Sequence, residues 1–142
     1  MKKTLTFLTW ITLWSMTSSC SQDTAPLSIG LWNVENLFDL ADDPEKNDEE
    51  FSTGGRKNVT QEIYDLKIKN TAELLADLNA DVVGLCEVEN RFVLEELNQA
   101  YTGRAYKIIH YDSPDFRGID NALLYDPSVF KMVDSRAIDN PL

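Results

Sequence analysis

Asn33 and Glu87 are the residues whose types and placement point most directly to chemistry. Each stands near the end of an apolar segment, Asn33 after Leu27, Ile29 and Leu31, and Glu87 within Asp81–Val88. A carboxylate suits Mg²⁺, a hard cation that prefers oxygen ligands and keeps waters for phosphate oxygens to replace. An amide beside it can orient the carboxylate or a phosphate oxygen. Arg117, on a turn between Pro114 and Gly118, has a guanidinium able to hold a phosphate through two N–H donors. An exposed ion pair with Asp112 or Asp115 is the alternative. His110, the single histidine, sits near a strand end where it is either a core residue or a ligand or acid–base group.

Asn33 and Glu87 meet only if the intervening chain returns to the same edge. The first apolar segment reads as a strand, mostly apolar and expected to be buried on both faces. An amphipathic helix is expected over 62–79, with Ile63, Leu66, Leu74 and Leu78 on its apolar side. Asp65, Lys69, Glu73 and Asp77 line its polar side, Lys67 interrupts the apolar one, and Asn79 is the stop. Asp81–Val88 is a second strand. A strand–helix–strand unit of this kind leaves its strands parallel, with both C-terminal ends on one sheet edge, where open α/β sheets bind ligands. Spacing alone leaves open that Asn33 only closes a strand and that Glu87 only caps a helix.

Further elements are expected as a short helix around Phe92, Leu94 and Leu97, and strands at Tyr106–Tyr111, Ile119–Tyr125 and Phe130–Val133. Residues 39–61 carry a cluster of acids with Pro44, Gly54 and Gly55. They read as a long, solvated surface loop whose spacing matches no calcium-binding loop. The 142 residues have a formal net charge of −11. That argues against a basic nucleic-acid-coating protein, but not against an enzyme that handles phosphates through a bound cation.

The N-terminus has the pattern of an export signal. Lys2 and Lys3 precede an apolar stretch from Leu5 to Met16, too short to span a bilayer. Thr17, Ser18 and Ser19 then lead to Cys20, as in a bacterial lipoprotein cleavage box, although Thr17 replaces the usual bulky aliphatic residue. The expected organisation is a signal peptide at 1–19, a lipidated tether at 20–26 beginning at Cys20, and a partial domain at 27–142. The expected location is a bacterial outer membrane, or else the periplasm or exterior. Cys86 has no disulfide partner once Cys20 is lipidated, and is expected to be a buried, inert thiol. Stability must then come from a core or a metal rather than a disulfide framework.

Leu31-Trp32-Asn33-Val34-Glu35-Asn36-Leu37 resembles the opening motif of the endonuclease/exonuclease/phosphatase family, relatives of pancreatic deoxyribonuclease. Ala80–Val88 resembles its second motif, with Cys86 where glutamine is frequent, and Arg117–Tyr125 resembles the glycine-led strand that follows. The resemblance implies an α/β chain forming the N-terminal half of a four-layer sandwich. It implies Mg²⁺- (or Mn²⁺-) dependent cleavage of phosphate esters, with nucleic acid or a small phosphodiester as substrate. Asn33 then matches the active-site asparagine and Glu87 the metal-binding glutamate. The expected mechanism has Glu87 holding the ion, which polarises a phosphate oxygen for in-line attack by water, with Arg117 binding phosphate. His110 does not fall in the family's catalytic-histidine motif. The later Asp-x-Asn and Ser-Asp-His motifs do not follow Tyr125. The chain therefore reads as the N-terminal part of an exported enzyme or the product of a truncated gene. The alternative is a lipid-anchored binding module without catalysis. The implied partners are a phosphate ester and, through the anchor, a membrane; no protein partner is read from the sequence.

Overall fold

A computed structural model describes residues 26–138. The expected leader at 1–19, Cys20 and most of the tether lie outside the described residues. In chain order the elements are β1 (Ile29–Leu37), α1 (Gln61–Leu78), β2 (Val82–Val88), α2 (Arg91–Ala100), β3 (Lys107–His110) and β4 (Asp120–Tyr125). They form an α/β unit with one mixed sheet in the order β1-β2-β4-β3. β1 runs parallel to β2, while β4 is antiparallel to both β2 and β3. The strand–helix–strand unit thus places its two strands side by side and in the same direction.

Local chemistry sets the helix limits. The Thr60 hydroxyl caps α1 by accepting from Ile63 N, and Glu62 lies in the first turn, where the helix dipole favours negative charge. Asn79 ends the helix in the left-handed region at φ 42°, its N–H reaching Leu75 O. The Asn90 side chain caps α2 by accepting from Val93 N at 3.1 Å.

The core lies between the helices and one face of the sheet. Tyr64, Ile68, Ala72 and Leu75 of α1 and Val93, Leu94 and Leu97 of α2 meet Val34, Val83, Leu85, Ala122 and Leu124 of the strands. This moves the buried side of α1 away from the expected one, since Ile63, Leu66, Leu74 and Leu78 are exposed. The helix has apolar residues on two sides. The side carrying small Thr71 and Ala72 is the one turned inward.

The opposite sheet face is open. Ile29 is 73% and Leu31 85% exposed, so β1 is covered on one face rather than the expected two. Leu31 lies over Gly84, where an added Cβ would fall 2.6 Å from Leu31 Cδ2. Cys86 is on this open face and exposed, not buried. Alternation puts it opposite Leu85, whose side chain fills the core. The expected fifth strand at Phe130–Val133 does not form: those residues follow a turn after Tyr125 and pair with no strand among the described residues.

Candidate functional site

β1 and β2 pair regularly from Ile29↔Val82 to Asn33↔Cys86, and then the register shifts before Leu37↔Val88. β2 and β4 shift at the same level, between Cys86 and Val88. Two irregularities at one rim bend the strands and re-aim the side chains there. Glu35, Asn36 and Glu87 all take left-handed backbone, with φ of 56°, 60° and 63°. Such conformations cost non-glycine residues about 1–3 kcal/mol each and persist only where the surroundings enforce them.

The product of this bend is a close carboxamide–carboxylate pair. Asn33 Nδ2 donates to Glu87 Oε1 at 2.8 Å, and Asn36 N donates to Glu87 Oε2 at 3.2 Å. Asn33 Oδ1 accepts from Glu35 N at 2.8 Å, which fixes the amide with its donor end towards the carboxylate. Asn33 therefore orients Glu87. Each Glu87 oxygen accepts one hydrogen bond and has lone-pair capacity left on an accessible rim. A single, oriented hard carboxylate with water access fits the way Mg²⁺ is held.

Lys67, which breaks the apolar side of α1, supports the bend from below. Its Nζ donates to Glu35 O at 2.5 Å and Asn36 O at 2.6 Å, satisfying carbonyls that left-handed backbone removes from the ladder. Partial burial pulls the Lys67 ammonium below its ordinary value, while Glu35 and Glu87 draw it back up.

The pair opens into a cleft of about 510 Å³ lined by Asn33, Cys86, Glu87, Ser113, Asp115, Asp120 and Asn121. Asn121 reaches it because it is the register partner of Cys86. Beside it lies a second cavity of about 520 Å³, lined in part by Asn36, Asn47, Phe51, Arg56 and Arg117. Arg117 takes the ion-pair alternative: Nε and Nη2 donate to the two Asp115 oxygens at 3.2 and 3.0 Å. Asp115 holds the guanidinium above its ordinary value, and Glu87 adds to that pull. Arg117 thus sits in the field of Glu87 on the wall of the second cavity, with Nη1 uncommitted among the described residues.

The acidic loop is less solvated than expected. Asp48 is only 2% exposed and accepts from Asp43 N, while Phe51 stacks on Phe38 at a centroid distance of 4.2 Å. Glu89, just past β2, accepts from Asp39 N at 2.6 Å and anchors the start of the loop. Burial, with the Asp39 and Asp48 carboxylates nearby, pushes the Glu89 carboxyl up to about 7. His110 is buried in a pair with Asp120.

The structure brings Asn33 and Glu87 into contact and turns Arg117 onto Asp115. Asn36 and Asn121 carry no signal of their own in the sequence, and Lys67 shows there only as a break in the apolar side of α1. Asn121 follows once the β2–β4 register is known, whereas the Lys67 contacts depend on a bend that no periodicity announces.

Searches among curated proteins and among solved structures gave no match. Residues 28–141 match the model of the Endonuclease/Exonuclease/phosphatase family, spanning all six elements and the rim where Asn33 meets Glu87. The chain belongs to that family.

Proposed function

We propose that the Asn33–Glu87 rim is the metal-binding edge of a phosphodiesterase-type hydrolase. The family implies phosphoester substrates and a phosphoesterase-type reaction. The observation that carries the reading is the 2.8 Å contact between Asn33 and Glu87, which orients a carboxylate at the C-terminal edge of parallel strands. Glu87 would hold Mg²⁺ or Mn²⁺, and the ion when bound supplies Lewis-acid polarisation of a phosphate oxygen and a counter-charge to the ester.

The chain's own residues hold and orient this edge. Asn33 and Asn36 N fix the Glu87 carboxylate so that no side-chain freedom is lost when the site loads. Lys67 keeps the backbone beneath it bent. Arg117, already oriented by Asp115, offers its remaining donors to a phosphate oxygen in the cavity beside the cleft. The net charge of −11 favours a small phosphodiester over long DNA, whose phosphates the surface would repel. Within this reading the full domain is a four-layer sandwich, and the open face around Ile29 and Leu31 is the inner face of its first sheet. The protein is exported and held at a membrane through lipid on Cys20.

The test is hydrolysis of a chromogenic phosphodiester by the domain in its complete form, with and without Mg²⁺ or Mn²⁺. Metal-dependent turnover that falls at least ~100-fold in Glu87→Gln is expected. Turnover unchanged by that substitution would remove Glu87 from the site. Metal binding without turnover would favour the inactive, lipid-anchored module.

A further inference from the structure

On the other side of the cleft, β3 and β4 bring the chain's single histidine against two carboxylates. His110 Nε2 lies 2.9 Å from Asp120 Oδ2, and both side chains are 4% exposed. Asp112, two residues past β3 and exposed, completes a group whose three ligand atoms all lie within 4.8 Å of one another. The placement follows from topology. His110 pairs with Ala122 in the β3–β4 register, so Asp120, two residues before Ala122, shares its face. Ser113 N donates to Asp120 Oδ1 at 2.7 Å, which fixes the carboxylate and curls the chain so that Asp112 returns towards it.

We propose that His110, Asp112 and Asp120 form a site for a divalent transition cation, Zn²⁺ in particular, separate from the Glu87 rim. An imidazole nitrogen with two carboxylate oxygens is a donor set for a borderline cation rather than for Mg²⁺. Ligands about 2.1 Å from a tetrahedral Zn²⁺ stand about 3.4 Å apart, and the three ligand atoms here all lie within 4.8 Å of one another. The charge also fits. Two carboxylate ligands suit a divalent charge, and among the described residues neither Asp112 nor Asp120 is paired with a lysine or arginine. The buried His110–Asp120 pair supplies rigidity, and the exposed Asp112 supplies the route in. Asp120 also lines the cleft with Glu87, so the ion would brace the cleft floor. It would tie β3 to β4 in a chain that has no disulfide among its described residues.

Because the chain has one histidine, imidazole signals report this site alone. Untagged, metal-free full chain is titrated with Zn²⁺, and the His110 ring resonances are followed by NMR alongside the melting temperature. The expected result is saturation of the ring shifts at one equivalent and a Zn²⁺-dependent rise in melting temperature. Asp112→Asn, at an exposed position that leaves the buried pair intact, weakens that binding by ~10-fold or more. Glu87→Gln leaves it unchanged. Ring resonances that stay in place throughout the titration, or an affinity unmoved by Asp112→Asn, would overturn the proposal. Failure of the Glu87 rim to bind Mg²⁺ would leave this site standing.

Discussion

Lys67 Nζ reaches the Asn36 carbonyl at 2.6 Å, so a helix side chain holds up the bend on which Glu87 rests. Its second bond, to Glu35 O, makes the clasp bidentate across two consecutive left-handed residues. Lys67→Met keeps the aliphatic stem and removes both bonds. Each charged hydrogen bond contributes about 1.5–3 kcal/mol when lost from a shielded place, and partial exposure reduces this. The expected loss is about 1–3 kcal/mol in urea unfolding, together with weaker Mg²⁺ binding at the rim. A Lys67→Met chain with unchanged stability and Mg²⁺ affinity would show that the bend holds itself.

Glu89 predicts a slope of stability with pH. Its carboxyl is raised from 4.5 to about 7 by burial and by the nearby acids Asp39 and Asp48. A folded-state value above the unfolded one means that the native state favours the protonated form. The contribution is fully present below about 4.5 and is lost as pH rises through about 7. Glu89→Gln retains an acceptor for Asp39 N and cannot titrate. Urea midpoints at pH 5 and pH 8 are expected to differ less in Glu89→Gln than in the parent. An equal difference in both would place the slope in other groups.

The exposure of Cys86 predicts a reactive thiol on the cleft wall. In a Cys20→Ser background, native chain is expected to release one equivalent of thionitrobenzoate from Ellman's reagent without denaturant, and Cys86→Ser none. Reaction only after unfolding would mean that the open face is covered in solution.

The two faces of the sheet can be told apart by one pair of truncations. Leu85 is 1% exposed and Leu31 85%. Leu85→Ala is expected to cost about 2–5 kcal/mol through lost burial and the cavity left behind. Leu31→Ala, at a surface position, is expected to stay within about 0.5 kcal/mol. Comparable losses from both, measured by urea unfolding, would require a partner layer on the open face.

Much of this architecture is written in local patterns. The β1 and β2 segments, the Asn79 stop and the side-by-side placement of Asn33 and Glu87 on neighbouring strands follow from apolar runs, a left-handed-tolerant residue and the rule for parallel strands. What escaped reading has a common cause in tertiary choice. α1 offers apolar residues on two sides, and only packing against α2 and the sheet selects Tyr64, Ile68 and Leu75 over Ile63, Leu66 and Leu74. Left-handed backbone at Glu35, Asn36 and Glu87 carries no glycine to announce it. Burial of Asp48 and the pairing of His110 with Asp120 depend on partners distant along the chain or on a register that composition does not specify. At Phe130–Val133 the apolar run was real, but no neighbouring strand edge took it up.

The Asn33 side-chain amide offers the most direct reading of the rim, because its Nδ2 protons point at Glu87 Oε1. Mg²⁺ titration of the full chain, followed on those amide resonances by NMR, is expected to shift them saturably, and Glu87→Gln is expected to abolish the shift. Asn33 resonances that ignore Mg²⁺, or that respond equally in Glu87→Gln, would contradict a metal-binding role for this rim.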